Sequence, residues 1–97
     1  MSAFVIADIE VLDAVPYENY KRLAAQSIAL YGGRYVVRGG RTEVLEGEWE
    51  PSRLVMLEFP SVERAIAWYE SAEYATAREL RRTSARLDMV VVEGIGE

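Results

Sequence analysis

Four short segments rich in β-branched residues, AFVIADIEVL (3–12), RYVVRGGRTEVLE (34–46), SRLVMLEF (52–59) and DMVVVEGI (88–95), are separated by two segments of helical period. That order limits the possible folds more than any single motif does. Alternation with period 2 argues for strands, and spacings of three and four argue for helices. The first helical segment opens at Asp13 and Pro16 and places Tyr17, Tyr20, Ala24, Ile28 and Tyr31 on one face. Gly32 follows where a left-handed C-cap residue is expected. The second opens with Ser61 as N-cap and Glu63 in its first turn, and its buried stripe reads Val62, Ala65, Ile66, Tyr69. Ser71 re-caps a continuation through AEYATARELRRTSA, and GEWEPS (47–52) is a turn-like hairpin connection.

The predicted order is therefore βαββαβ, the ferredoxin-like pattern. Crossovers that each skip one strand position give a four-stranded antiparallel sheet with two helices on one face, an α+β fold. The 97 residues make a single domain, 1–97, and 51% of them are hydrophobic, enough for a packed core. A chain this short leaves much of its surface in water, so self-association would add stability.

The strand faces sharpen that point. Val5, Ala7, Ile9 and Val11 form one apolar face, assigned to the helices, and Phe4, Ile6, Asp8 and Glu10 form the other. Val55, Leu57 and Phe59 oppose Leu54, Met56 and Glu58, and Val90 and Val92 oppose Met89, Val91 and Glu93. The second face is thus apolar too, with a carboxylate near the end of each strand. Such a face calls for a cover, and a chain without a third layer predicts a second copy of itself. The alternative is a plain dimer interface with solvated rim charges.

Composition removes several classes of function. There is no cysteine and no histidine, which excludes disulfides, thiolate nucleophiles, thiolate or imidazole metal sites, histidine-ligated haem and histidine-based triads. No cofactor is expected, and no ligand spacing suits a carboxylate-only calcium loop. The net charge of −5 argues against nucleic acid as a partner. MSAFVIADIE lacks a basic n-region, and no apolar run approaches about 20 residues, so a cytoplasmic protein without a membrane partner is expected.

The stretches YGGRYVVRGG, EVLEGEWEPSRLVMLEFPS and AWYESAEY closely resemble a family of small bacterial proteins known only as a domain of unknown function, within the dimeric α/β-barrel superfamily. The resemblance covers essentially the whole chain. It implies a homodimer whose two sheets face each other around a cavity. Some relatives in that superfamily are cofactor-free monooxygenases of antibiotic biosynthesis, muconolactone isomerases and haem-dependent chlorite dismutases. The lack of histidine puts the haem branch out of reach.

The paired glycines do not make a phosphate loop. Such a loop runs from a strand into a helix N-terminus, whereas Gly32–Gly33 follows a helix and Gly39–Gly40 lies in the predicted second strand. The first pair reads as a C-cap turn, the second as a bulge or a place of close approach. Counting registers from the predicted hairpin sets Arg38 beside Glu58, with Glu93 roughly 10 Å away across the Phe4–Ile6 region. Asp8 and Glu10 fall toward the other end. A one-residue slip at the glycines would reverse Arg38.

Arg38, Glu58, Glu93 and Asp8 are accordingly the candidate catalytic residues, and Phe4, Ile6, Trp49 and Met56 the candidate contacts for a small organic ligand. The charged row could instead be a buried ion pair that sets dimer register. Trp49 is a lid over the cavity, an anchor on the partner, or a rim residue packing locally. Arg53 is expected to pair with Glu48 or Glu50, and Arg78, Arg81, Arg82 and Arg86 to form a solvated helical stripe. Three functions remain open: a small-molecule binder, a cofactor-independent enzyme of monooxygenase or isomerase type, and an interaction domain with a filled cavity.

Overall fold

The computed structural model describes residues 1–96. The elements run β1 (Ala3–Val11), α1 (Ala14–Leu30), β2 (Arg34–Arg38), β3 (Leu54–Phe59), α2 (Val62–Tyr69), α3 (Ala72–Arg81) and β4 (Ala85–Glu93). The four strands form one antiparallel sheet in the order β2-β3-β1-β4, as the crossover argument requires. With the helices on one side, the molecule is two layers thick, its principal extents being 39 × 38 × 16 Å. No described helix is long and apolar enough to cross a membrane.

Local signals set the helix ends. Asp13 caps α1 by accepting from the Val15 amide, Ser61 caps α2 by accepting from Arg64, and Ser71 caps α3 by accepting from Tyr74. Gly32 takes the left-handed conformation after α1 (φ 78°). Ser71 ends one helix and starts another, so the second helical segment is two helices rather than one continuous piece.

The core is centred on an indole. Trp68 is 1% exposed and lies 4.3 Å from the Tyr74 ring and 5.4 Å from Phe59, centroid to centroid. Its Nε1–H donates to Ser27 Oγ at 2.9 Å, and the Ser27 hydroxyl donates to the Ala24 carbonyl at 2.8 Å. The Tyr20 and Tyr74 hydroxyls meet at 3.0 Å. The Trp68, Tyr20 and Tyr74 tips therefore each have a partner, which is the condition for keeping such groups inside. The expected α2 stripe is corrected accordingly. Ala65 and Trp68 are buried, whereas Ile66 and Tyr69 stay 43% and 38% exposed. Directly after the Ser61 cap, Val62 is only half-buried.

Three strand expectations also change. β2 stops at Arg38, and residues 39–53 form a long connection instead of a hairpin turn. β4 begins at Ala85, taking in Arg86, so the expected arginine stripe is split between α3 and a strand. The phase of β4 is opposite to the one expected. Val5 faces Val91 and Ala7 faces Met89 across the ladder, while Phe4 faces Val92 and Ile6 faces Val90. Directly paired residues share a face, so Met89 and Val91 belong to the helix side and Val90 and Val92 to the outer side. A run of three valines carries no alternation from which the phase could be read.

Gly33 shows how tight the α1–β2 corner is. A Cβ there would lie 2.6 Å from Phe59 Cε1 and 2.8 Å from Ile28 Cγ2. We expect Gly33→Ala to lower stability by about 1–3 kcal/mol through overpacking. Urea unfolding should show this as a lower midpoint with an unchanged slope.

Candidate functional site

The outer sheet face is built from one residue in two along each strand. Phe4 and Ile6 come from β1, Leu54 and Met56 from β3, Val90 and Val92 from β4, and Val37 from β2. Val90 and Val92 are 59% and 48% exposed and the other five half-buried, so among the described residues no further layer covers this side. The face is a contiguous apolar surface with charged groups at its two ends.

One end carries Glu58, whose partner is Arg34 and not Arg38. Arg34 pairs with Glu58 in the β2–β3 register and donates from Nη2 to Oε1 at 2.6 Å. The reason is a bulge at Val36, between Tyr35 and Val37, three residues before the glycines. The extra residue turns Arg38 to the side of Val55, the helix side. There its guanidinium lies 4.2 Å from the Tyr35 ring centroid. Glu93 also leaves the row, because it pairs with Ala3 and so follows the helix-side phase at the strand end. Of the four charged candidates, only Glu58 and Asp8 share the outer face. The Ser2 hydroxyl and then Arg34 hold the Glu58 carboxyl below the usual glutamate range.

Asp8 holds the other end. It accepts from Trp49 Nε1–H at 2.9 Å and from the Ser52 amide at 2.9 Å. These bonds, led by the indole, keep its carboxyl below the ordinary aspartate range against an opposing push from burial. The side chain thus clasps the 39–53 connection to the sheet. Trp49, still 62% exposed, sits at the rim of the outer face. Asp8 pairs with Asp88 of β4, and together with Glu10, Ser52 and Arg86 they line a shallow cleft of about 230 Å³. Arg86 answers Glu10 at 3.6 Å.

Phe4, Ile6 and Met56 therefore lie together on the outer face, with Trp49 at its edge. The helix side holds a cluster that the sequence reasoning missed: Tyr35, Arg38 and Arg53 line a narrow opening between α1 and the sheet. Arg53 is not paired with Glu48 or Glu50, and among the described residues no carboxylate lies within 4.0 Å of Arg38 or Arg53. The one available signal was Gly39, where a close approach was expected. A Cβ there would collide with the Arg53 guanidinium. Among the described residues there is no group of three or more acidic side chains placed to hold a metal ion.

A family profile described as Domain of unknown function (DUF1330) matches residues 2–95. Comparison with curated proteins gives no match. A protein of unknown function from Rhodopseudomonas palustris superposes with a TM-score of 0.79 at 16% identity, over 99% of this chain and 84% of that one. SnoaB, a cofactor-independent oxygenase from Streptomyces nogalater, gives 0.62 at 11% identity, over 99% and 94%. A dimeric protein of unknown function and ferredoxin-like fold from Bacteroides fragilis gives 0.51 at 12% identity, over 96% of each chain. Likeness at this level establishes the ferredoxin-like fold.

The clasp makes a prediction of its own. Removing the Asp8 acceptor leaves the Trp49 and Ser52 donors without a partner, so trypsin should cut Asp8→Ala within residues 39–53 several-fold faster than wild type. Because the folded Asp8 value is depressed, the clasp contributes fully above the unfolded value, about 3.9, and is lost as pH falls through the lower folded value. Trp49 emission, isolated by difference from Trp49→Phe, should stay constant down to about pH 4 and change only below it. A change centred at higher pH would count against the clasp.

Proposed function

The chain belongs to the family described as Domain of unknown function (DUF1330), and from that premise we propose that it acts as a homodimer whose outer sheet faces meet and shelter a small organic molecule. The uncovered apolar face carries this reading. Seven side chains from all four strands present it, and monomeric proteins rarely leave so broad an apolar surface in water. Two such faces related by a twofold axis would be self-complementary, since each is apolar in the middle and charged at its ends. The neighbour from Bacteroides fragilis, described as dimeric, is consistent with this arrangement.

In this reading Phe4, Ile6 and Met56 supply apolar contact and Trp49 closes one edge. The Arg34–Glu58 pair and Asp8 provide polar anchors at the ends. The second reading is a cofactor-independent enzyme, favoured by the likeness to a protein described as a cofactor-independent oxygenase. Asp8 and Glu58 are the carboxylates on the face. Both carboxyls are held below their ordinary range, so at neutral pH neither can donate a proton, and each would act only as a weak base or as a fixed negative charge. Arg38 and Glu93, on the helix-side phase, would act in such an enzyme only from outside the shared face.

A native mass spectrum of protein purified without denaturation tests the first reading. A dimer carrying extra mass is expected, and fragmentation of that species identifies the class of ligand. A monomer at micromolar concentration would overturn the dimer. A dimer without extra mass would favour an interface filled by its own side chains. Val90→Glu places a charge in the centre of the proposed contact and should weaken association by about 100-fold or more. The helix-side core, which Val90 does not enter, should leave the circular dichroism unchanged. For the enzyme reading, Glu58→Gln should abolish turnover of any substrate found while the dimer persists.

A further inference from the structure

The helix-side opening contains an unanswered donor. Among the described residues, Arg53 Nε is buried without a hydrogen-bond partner. Arg53 lines a narrow cavity of about 30 Å³ together with Tyr17, Lys21, Tyr35 and Arg38 and with apolar residues of the sheet and α1, Ala7 and Val55 among them. A buried N–H of a cation left unpaired is costly, so a site that keeps one needs an acceptor from elsewhere. The described carboxylates do not supply it. Glu18 is engaged with Lys21 at 2.9 Å, and no other described carboxylate reaches the rim as an ion pair.

The arrangement is built, not incidental. Gly39 (φ 70°) leaves its Cβ position empty, and the Arg53 guanidinium occupies that space against the backbone. The Gly39 amide donates to the Leu54 carbonyl at 2.8 Å, which closes the loop beneath it. Arg38 is stacked on the Tyr35 ring at 4.2 Å. Burial raises the Tyr35 hydroxyl above its ordinary value, against Arg38 and Arg53, which lower it, so the phenol is a neutral donor at physiological pH. Two guanidiniums without a carboxylate partner among the described residues, Arg38 and Arg53, thus share one corner of a chain whose net charge is −5, while Lys21 beside them is answered by Glu18.

We propose that this corner binds a small organic carboxylate, one oxygen facing Arg53 Nε, with Arg38 offsetting the charge and the Tyr35 hydroxyl donating from the rim. The void admits a group the size of one water, which suits a single carboxylate oxygen, and the rest of the ligand leaves along the Tyr35–Arg38 rim. A phosphate fits less well. It brings more charge and more oxygens, the floor is apolar, and the nearby Gly39 amide is already used. The site lies on the opposite side of the sheet from the dimer face and does not depend on it. A monomeric protein that binds a carboxylate here would leave this proposal standing.

The test uses nitrogen-15-labelled protein and the arginine Nε–H resonances, with that of Arg53 assigned by its loss in Arg53→Lys. Sodium benzoate is titrated at constant ionic strength, with sodium phosphate and sodium chloride as contrasts. The Arg53 signal should shift saturably with benzoate and stay fixed with chloride and phosphate. The melting temperature should rise by roughly 7 °C at tenfold excess over Kd. Arg38→Met, which leaves Arg53 in place, should weaken benzoate about tenfold. No saturable shift with benzoate, an equal response to all three anions, or unchanged affinity in Arg38→Met and Arg53→Lys would each overturn the proposal. Saturation by phosphate alone would replace the carboxylate with a phosphate ligand and overturn it as stated.

Discussion

β1 is hydrogen-bonded along both edges, and this double pairing decides which way every neighbouring side chain faces. Ala3, Val5, Ala7 and Ile9 are pressed against the helices because Trp68, Tyr20 and Ile28 lie on that side. Through the ladders, Val5 then commits Leu57 and Val91 to the same face, and Ile6 commits Met56 and Val90 to the other. An antiparallel sheet allows no compromise, since a shift of one residue exchanges the two faces completely. The outward apolar surface is the consequence of that commitment, carried across all four strands.

The two sides of the sheet hold their charges differently, Glu58 on the outer face being answered by Arg34 and Asp8 by Trp49 and Ser52. The outer face ends in carboxylates, Glu58 and Asp8, each held ionised by hydrogen bonds. The helix-side corner collects Arg38, Arg53 and Lys21. Asp8 on one side and Arg53 on the other both depend on the 39–53 connection, which leaves β2 at Gly39, crosses to Asp8 through Trp49 and Ser52, and ends at Arg53. The β2–β3 connection is thus a structural element that places charge on both faces, despite having no regular secondary structure.

Much of the architecture was legible locally. The caps at Asp13, Ser61 and Ser71 and the turn at Gly32 are where their side-chain chemistry puts them, because capping is settled within three or four residues. The α1 stripe is also as read, from Tyr17 to Ile28. In α2 the reading favoured Ile66 and Tyr69 and overlooked Trp68. The indole wins the core position because Ser27, on another helix, satisfies its N–H, a partner no local pattern reveals. The length of β2 was overestimated for a related reason. Val44 and Leu45 have strand propensity, but the residues that would pair with them are drawn toward Asp8, leaving them 46% and 96% exposed.

What the sequence determined by itself is the order of elements, their helix ends and the fact that the sheet is apolar on both sides, since these follow from residue types within a few positions of one another. Only the tertiary structure decided the phase of VVV in β4, the bulge at Val36 and therefore which charges are neighbours: Arg34 with Glu58, Arg38 with Tyr35, Asp8 with Trp49. Register is a relation between strands far apart in the chain. A uniform apolar run satisfies either phase equally well until its partner strand is in place.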